Sequence, residues 1–270
     1  MSVTISASLV KELRDLTGAG MMDCKRALEE TGGDLEAARI LLREKGMAQA
    51  GKRAGRETTE GLVGFILDGL VGSIVGIGCE TEPVSKNEAF QEFAESVLRA
   101  VQAEGPQAVE RLEEERLELI GKLGENVVVA GAHRFEAGEG GVVAGYAHPP
   151  ANKIGVLVQL DGGSPELARL LAMHIAFAAP EWAAREDVPA ETVEGERAIF
   201  LNSDEVQSKP KAAREKIVDG MLAKRFFAAT PGGVLADQAW IHDASKTVGQ
   251  ALEEAGASVA RFARVSVAGS

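Results

Sequence analysis

The sequence predicts an α+β protein, with an all-helical N-terminal region followed by antiparallel strands and helices. Three observations lead there. Residues 6–45 carry apolar side chains at three- and four-residue spacing and read as three short helices. From residue 61 onward, β-branched runs flank turn residues, as in hairpins. Strand, turn, strand, polar loop and helix then occur in that order twice, an internal repeat of elements more than of residues.

Leu9, Val10, Leu13 and Leu16 mark the apolar face of a first helix, with Ser6 or Ser8 as its N-cap and Thr17-Gly18 as its stop. A second helix covers about residues 20–30 and ends at Gly32-Gly33. Asp34 caps a third, which carries Leu35, Ala38, Leu41 and Leu42. Residues 1–46 are thus a three-helix domain, and 47–60, basic at the start and without apolar period, read as a linker. A core subdomain over 61–140 opens with a hairpin of strands 61–67 and 70–79 across Asp68-Gly69. Asn87 starts an amphipathic helix through Phe90, Phe93, Val97 and Val101, and Pro106 starts an acidic one through Leu112, Ile120 and Leu123. Residues 127–130 are strand-like.

The second core subdomain takes 141–185 and 229–270. It holds strands over 142–148 and 153–160, a helix opened by Ser164-Pro165, a helix capped by Ser245, and a last strand over 259–267. Within the repeat, Ile74-Val75-Gly76 corresponds to Ile154-Gly155-Val156. Residues 186–228 are charge-rich, helical and broken at 208–210. They read as an inserted antiparallel helical hairpin in which Val188, Val193 and Ile199 face Ile217, Leu222 and Phe226.

Acidic residues outnumber basic ones 41 to 29, a net charge of −12, which argues against a protein that grips phosphate backbones, so no nucleic-acid partner is expected. Cys24 and Cys79 form no CxxC pair and fit a reducing compartment. The most apolar stretch, 167–179, is interrupted by Arg169 and His174 and falls short of the roughly 20 residues a membrane span needs. The N-terminus lacks the basic-then-apolar pattern of a leader. A soluble cytoplasmic protein without membrane contact is the expectation.

No phosphate-loop, nucleophile-elbow or zinc-helix motif is present, and the four histidines show no ligand spacing, so neither cofactor, metal nor catalytic residue is expected. His174 reads as a core histidine, and Cys24 and Cys79 as buried structural thiols; a thiol enzyme needs a base that the sequence does not show. Met21 and Met22 are adjacent, and neighbours on a helix point about 100° apart. Either one is exposed as an adaptable protein contact, or both pack where the helix begins. The polar, proline-shaped loop 80–84 is either a plain connector or a functional loop.

The segment SLVKELRDLTGAGMMDCKRAL resembles the bacterial elongation factor Ts family very closely. GDLEAARILLREKG, CETEPVSKNEAFQEFAESVL, KLGENV, KIGVLVQL, AMHIAF, PEWAAREDVP, SKPKAAREKIVDG and SKTVGQALEE continue the match in order, over essentially the whole chain. The resemblance implies a ubiquitin-associated-like N-terminal domain, two related core subdomains and an inserted hairpin of a type that dimerises in some relatives. A further C-terminal module found in some relatives is expected to be absent. It implies a factor, not an enzyme, that binds elongation factor Tu carrying GDP, disturbs the Mg²⁺ and phosphate site, and promotes exchange for GTP. Arg14, Met21, Met22 and Lys25 match positions that touch the nucleotide-binding domain of elongation factor Tu. Leu123 and Gly124 match a further contact segment, and His148 a histidine near the partner's phosphate loop, although the PPANK that follows it is longer than usual. Where the family reads Thr-Asp-Phe-Val, this chain has Thr81, Glu82, Pro83 and Val84. The family aromatic wedges beside the Mg²⁺ site, so an alternative expectation is a protein that binds elongation factor Tu with weakened exchange.

Overall fold

The computed structural model describes residues 5–267; residues 1–4 and 268–270, the outer ends of the first and last expected domains, lie outside the described residues. Three helices come first, α1 (Ala7–Thr17), α2 (Met21–Glu30) and α3 (Leu35–Arg53), closing on Val10, Leu13, Cys24, Ala27, Leu28 and Ala38. Ser6 caps α1 by accepting from Leu9 N–H, and Asp34 caps α3 by accepting from Ala37 N–H. Leu16, expected on the core face, is 61% exposed. At about 100° per residue it stands some 120° around the helix from Val10, off the buried stripe. Helix α3 continues to Arg53, through the first half of the expected linker. That stretch, rich in Ala, Lys and Arg, favours helix without being amphipathic.

Strands β1 (Glu60–Asp68), β2 (Val71–Cys79) and β3 (Val127–Glu136) form an antiparallel sheet in the order β1-β2-β3. Strands β4 (Gly141–Ala147), β5 (Ile154–Asp161) and β6 (Ser258–Ser266) form a second, in the order β4-β5-β6. Each sheet is a hairpin whose second strand becomes central when a later strand joins it. The first hairpin turns through Gly69-Leu70, one residue beyond the expected turn, because Asp68 pairs with Val71. The sheets pack face to face over Val63, Ile74, Phe135, Val143, Leu157 and Val265. After the single turn α4 (Glu82–Ser85), helices α5 (Glu88–Glu104) and α6 (Glu113–Leu123) cover the outer face of the first sheet. Helices α7 (Pro165–Ala178) and, further along the chain, α11 (Val248–Glu254) cover the second. Helix, sheet, sheet and helix thus form four layers.

The period of two along a strand decides which side chain goes where. Val75, Ile77 and Cys79 point at the α5 layer, and Ile74 points at the other sheet. In β5, Val156, Val158 and Leu160 face α7 while Leu157 faces the first sheet. The expected correspondence of Ile74 with Ile154 is therefore out of phase, since Ile154 packs on the helix side. Glycine makes room between the sheets: a methyl on Gly155 would lie 2.5 Å from Val63.

The caps at Asn87 and Ser164 are as expected, accepting from the N–H of Ala89 and Leu167. A 3₁₀ segment, Pro106–Leu112, precedes α6. Ser245 does not cap α11; it bonds to Asp243, and Thr247 with Gln250 forms a reciprocal capping box. Between the parts of the second sheet run α8 (Ala190–Asn202), α9 (Asp204–Gln207) and α10 (Lys211–Met221), continued by a π-helical turn, Leu222–Phe227. Their core is Val206, Val218, Met221 and Leu222 with Phe200, Leu201, Ile217 and Phe226 against it. Ile199 is 62% exposed, so it does not face α10 as expected. Arg197 makes the link instead, pairing with Glu215 and Asp219.

His174 is a core histidine, fully buried on α7 and stacked on Trp240 at 5.3 Å. Its Nδ1 accepts from Ile241 N–H at 3.4 Å, so Nε2 carries the proton and donates to Gln238 Oε1 at 3.0 Å. Burial pushes its pKa down. Among the described residues no helix is long and apolar enough to cross a membrane.

Candidate functional site

The α1–α2 turn carries the first group of candidate residues. Gly18 ends α1 in the left-handed conformation, φ 66°, with its N–H on Arg14 O at 2.7 Å. Three residues on, α2 begins, and both of its first side chains face solvent, Met21 at 59% and Met22 at 62% exposure. The structure thus goes beyond the expectation of one exposed methionine. Arg14 and Lys25 are exposed nearby, Lys25 loosely paired with Glu29 at 3.8 Å. Cys24 points inward, and burial raises its pKa.

The second group is the loop after β2. Thr81, Glu82 and Pro83 are exposed, Val84 half-buried. Pro83 occupies the first turn of α4, where a missing N–H costs nothing. Glu82 pairs with Lys86 at 2.7 Å; Lys86 foremost, and Lys153 with a smaller share, lower the Glu82 carboxyl. The loop is tied down from a distance. Glu125 accepts from Thr81 N–H at 3.0 Å and from Thr81 Oγ1–H at 2.6 Å. Glu80 accepts from Asn126 N–H at 2.7 Å, and Asn126 Nδ2 donates to Arg56 O at 2.9 Å. Cys79 donates its thiol to Thr81 O at 3.3 Å. Burial, with Glu125 adding to it, pushes that thiol up to about 12. Both thiols are therefore held protonated near neutral pH and make poor nucleophiles.

Leu123 and Gly124 supply the geometry of this clamp. Leu123 is half-buried against the α5 layer. Gly124 turns the chain out of α6 at φ 77°, a conformation that suits glycine, and delivers Glu125 to Thr81. Loop 80–84 stood out in the sequence, but its partners Glu125 and Asn126 did not, because nothing local marks bonds across 44 and 46 residues. Lys122 joins this group to the first: a methyl built on Gly18 would collide with Lys122 Cε.

His148 stands apart. It is exposed after β4, its Nδ1 2.8 Å from Tyr146 Oη. Its segment is anchored on β1, where Asn152 O accepts from Val63 N–H at 2.6 Å and Lys153 pairs with Glu60 at 2.5 Å. Glu60 pairs in register with Cys79, so His148 shares an end of the sheets with the 81–84 loop. Among the described residues no hydrogen bond or ion pair joins His148 to the other candidates. Among them, too, no group of three His, Cys, Asp or Glu side chains could hold a metal ion.

Two solvent-facing features therefore stand out, exposed methionines beside a glycine turn and a charged loop pinned from below. Comparison with known proteins specifies the class. Residues 80–269 match the family described as elongation factor TS. Elongation factor Ts of Thioalkalivibrio sulfidiphilus (strain HL-EbGR7) is 44% identical over 277 residues, covering 98% of this chain and 92% of that protein. Elongation factor Ts of Alkalilimnicola ehrlichii (strain ATCC BAA-1101 / DSM 17681 / MLHE-1) is 42% identical with the same coverage, and that of Escherichia coli O139:H28 (strain E24377A / ETEC) 43% identical over 97% of this chain and 91% of its own length. The chain belongs to the elongation factor Ts family, a family of translation elongation factors.

Proposed function

We propose that the chain is the guanine-nucleotide exchange factor of elongation factor Tu in the cytoplasm, acting by contact and without covalent chemistry. Arg14, Met21, Met22 and Lys25 dock on the nucleotide-binding domain. Thr81, Glu82, Pro83 and Val84, backed by Leu123 and Gly124, press beside the Mg²⁺ site, and His148 reaches toward the phosphate loop. Binding the nucleotide-free partner more tightly than the GDP-bound one weakens GDP by the same factor, about tenfold for each 1.4 kcal/mol. The observation that carries this reading is the pinned loop: Glu125 holds Thr81 through two hydrogen bonds, so the pressing element is ordered before the partner arrives. The three-helix region is read as ubiquitin-associated-like, and residues 186–228 as an inserted hairpin able to meet a second copy.

A second reading has one observation behind it. Pro83 stands where the family has an aromatic wedge, and a proline there buries less apolar surface, about 1–2 kcal/mol less differential binding. Binding without exchange is its signature. Stopped-flow release of a fluorescent GDP analogue from elongation factor Tu decides between the two. Saturable acceleration supports exchange; a stable complex with unchanged release supports the binding-only reading.

A further inference from the structure

The two contact groups sit on different parts of the chain, yet one short segment touches both. Helix α6 and the turn after it reach Gly18 through Lys122 and Thr81 through Glu125. Helix α3 crosses α6 where each helix has a glycine: a methyl on Gly121 would lie 3.1 Å from Gly46 Cα, and one on Gly46 would lie 3.4 Å from Gly121 Cα. Glycine inside a helix weakens that helix relative to alanine. Two of them facing each other are explained by the close backbone approach they permit. Around the crossing, Arg43 pairs with Glu114 and Glu118, and Arg53 donates to Ile120 O at 3.3 Å.

We infer that Gly46 and Gly121 are positioning residues, whose close crossing fixes the face bearing Met21 and Met22 at a set distance from the 81–84 loop. The inference rests on the exchange reading for its consequence, though not for its geometry. With the spacing fixed, docking of the helical face brings the loop to the Mg²⁺ site at high effective concentration. Loosening the crossing turns one two-point contact into two tethered ones. The tethered form loses part of the roughly 10²–10⁴ advantage that joining two sites can give. The loop itself is untouched, so the rate at saturation stays.

The test uses the full chain with Gly121→Val and, separately, Gly46→Val. Gly46 lies on α3, away from the sheet cores, so the second variant keeps the test alive if the first fails to fold. Paired spin labels at Asp15→Cys and Glu88→Cys, both exposed, read the spacing without any partner. One narrow distance in the parent and a broadened or doubled one in the variants is the expected result. In stopped flow, without labels, the half-saturating concentration should rise about tenfold or more while the saturating rate stays within about twofold. An unchanged distance distribution in both variants overturns the inference, as does a broadened distribution with unchanged half-saturation. If the parent itself releases no GDP, the exchange reading fails, and the distance measurement still decides the positioning role.

Discussion

Glu125→Ala removes both acceptors that hold Thr81 and leaves every proposed contact residue in place. A hydrogen bond to a charged group contributes about 1.5–3 kcal/mol. Thr81 is exposed and Glu125 half-buried, so about 1 kcal/mol each is a fairer figure, or about 2 kcal/mol for the pair. If all of that ordered the loop, the competent fraction would fall by up to about thirtyfold; a loop retaining its Glu82–Lys86 pair and its Pro83 should lose about tenfold. The assay is GDP release from elongation factor Tu, read as the second-order rate constant. Glu125→Gln keeps one acceptor oxygen and should lose about threefold. Cys79 gives a readout that needs no partner. Its thiol donates to Thr81 O, and Glu125 helps keep it protonated, so thiol modification should be slow in the parent and faster in Glu125→Ala. An alanine variant that exchanges within about twofold of the parent while Cys79 becomes reactive would refute the idea that order in this loop matters. Unchanged exchange with unchanged Cys79 would refute the clamp.

Met21→Ala with Met22→Ala should raise the half-saturating concentration about tenfold or more, at about 1 kcal/mol per truncated side chain, and leave the melting temperature within about 1 °C because both are exposed; a large thermal shift would show that they pack. Pro83→Phe restores the family's aromatic type and should speed GDP release by up to about tenfold; slower release would mean that the partner surface is shaped for proline. His174 is neutral when folded, and its pKa is lowered by burial from 6.5, so the unfolded chain takes the proton first. Its contribution to stability is complete above pH 6.5 and is lost as pH falls through that value toward the folded pKa; an imidazole resonance of His174 titrating at or above 6.5 would contradict this.

Much of this architecture could be read from residue order, and the reasons are local. The strands announced themselves because β2 and β5 are buried on both faces, which leaves near-continuous apolar runs such as 154–160. Asn87 and Ser164 were legible as caps because a side-chain oxygen two or three residues before a free N–H is a sequence-level signal. Ser245 misled because Asp243 takes its hydroxyl, leaving Thr247 and Gln250 to make the stronger reciprocal cap. The overrun of α3 was hidden because its last turns lack an apolar stripe, and it docks through a glycine, which periodicity does not register. Met21, Met22 and the 80–84 loop stand out on helix geometry and composition, and the remaining candidate contact residues come through family resemblance. What holds them, Glu125 on Thr81 and Lys122 under Gly18, depends on pairs brought together only by folding.

The arrangement of the second sheet also bears on how the protein is made. Its central strand β5 ends at Asp161, but the neighbour on its open side, β6, begins only at Ser258. A ribosome extending the chain would finish the first sheet long before the second, and for that interval β5 would present an unpaired edge. Closure over so long a loop is slow compared with hairpin formation. A translation factor of this shape would therefore spend much of its own synthesis with half its sandwich unsealed, in the stretch where chaperone contact has most to protect.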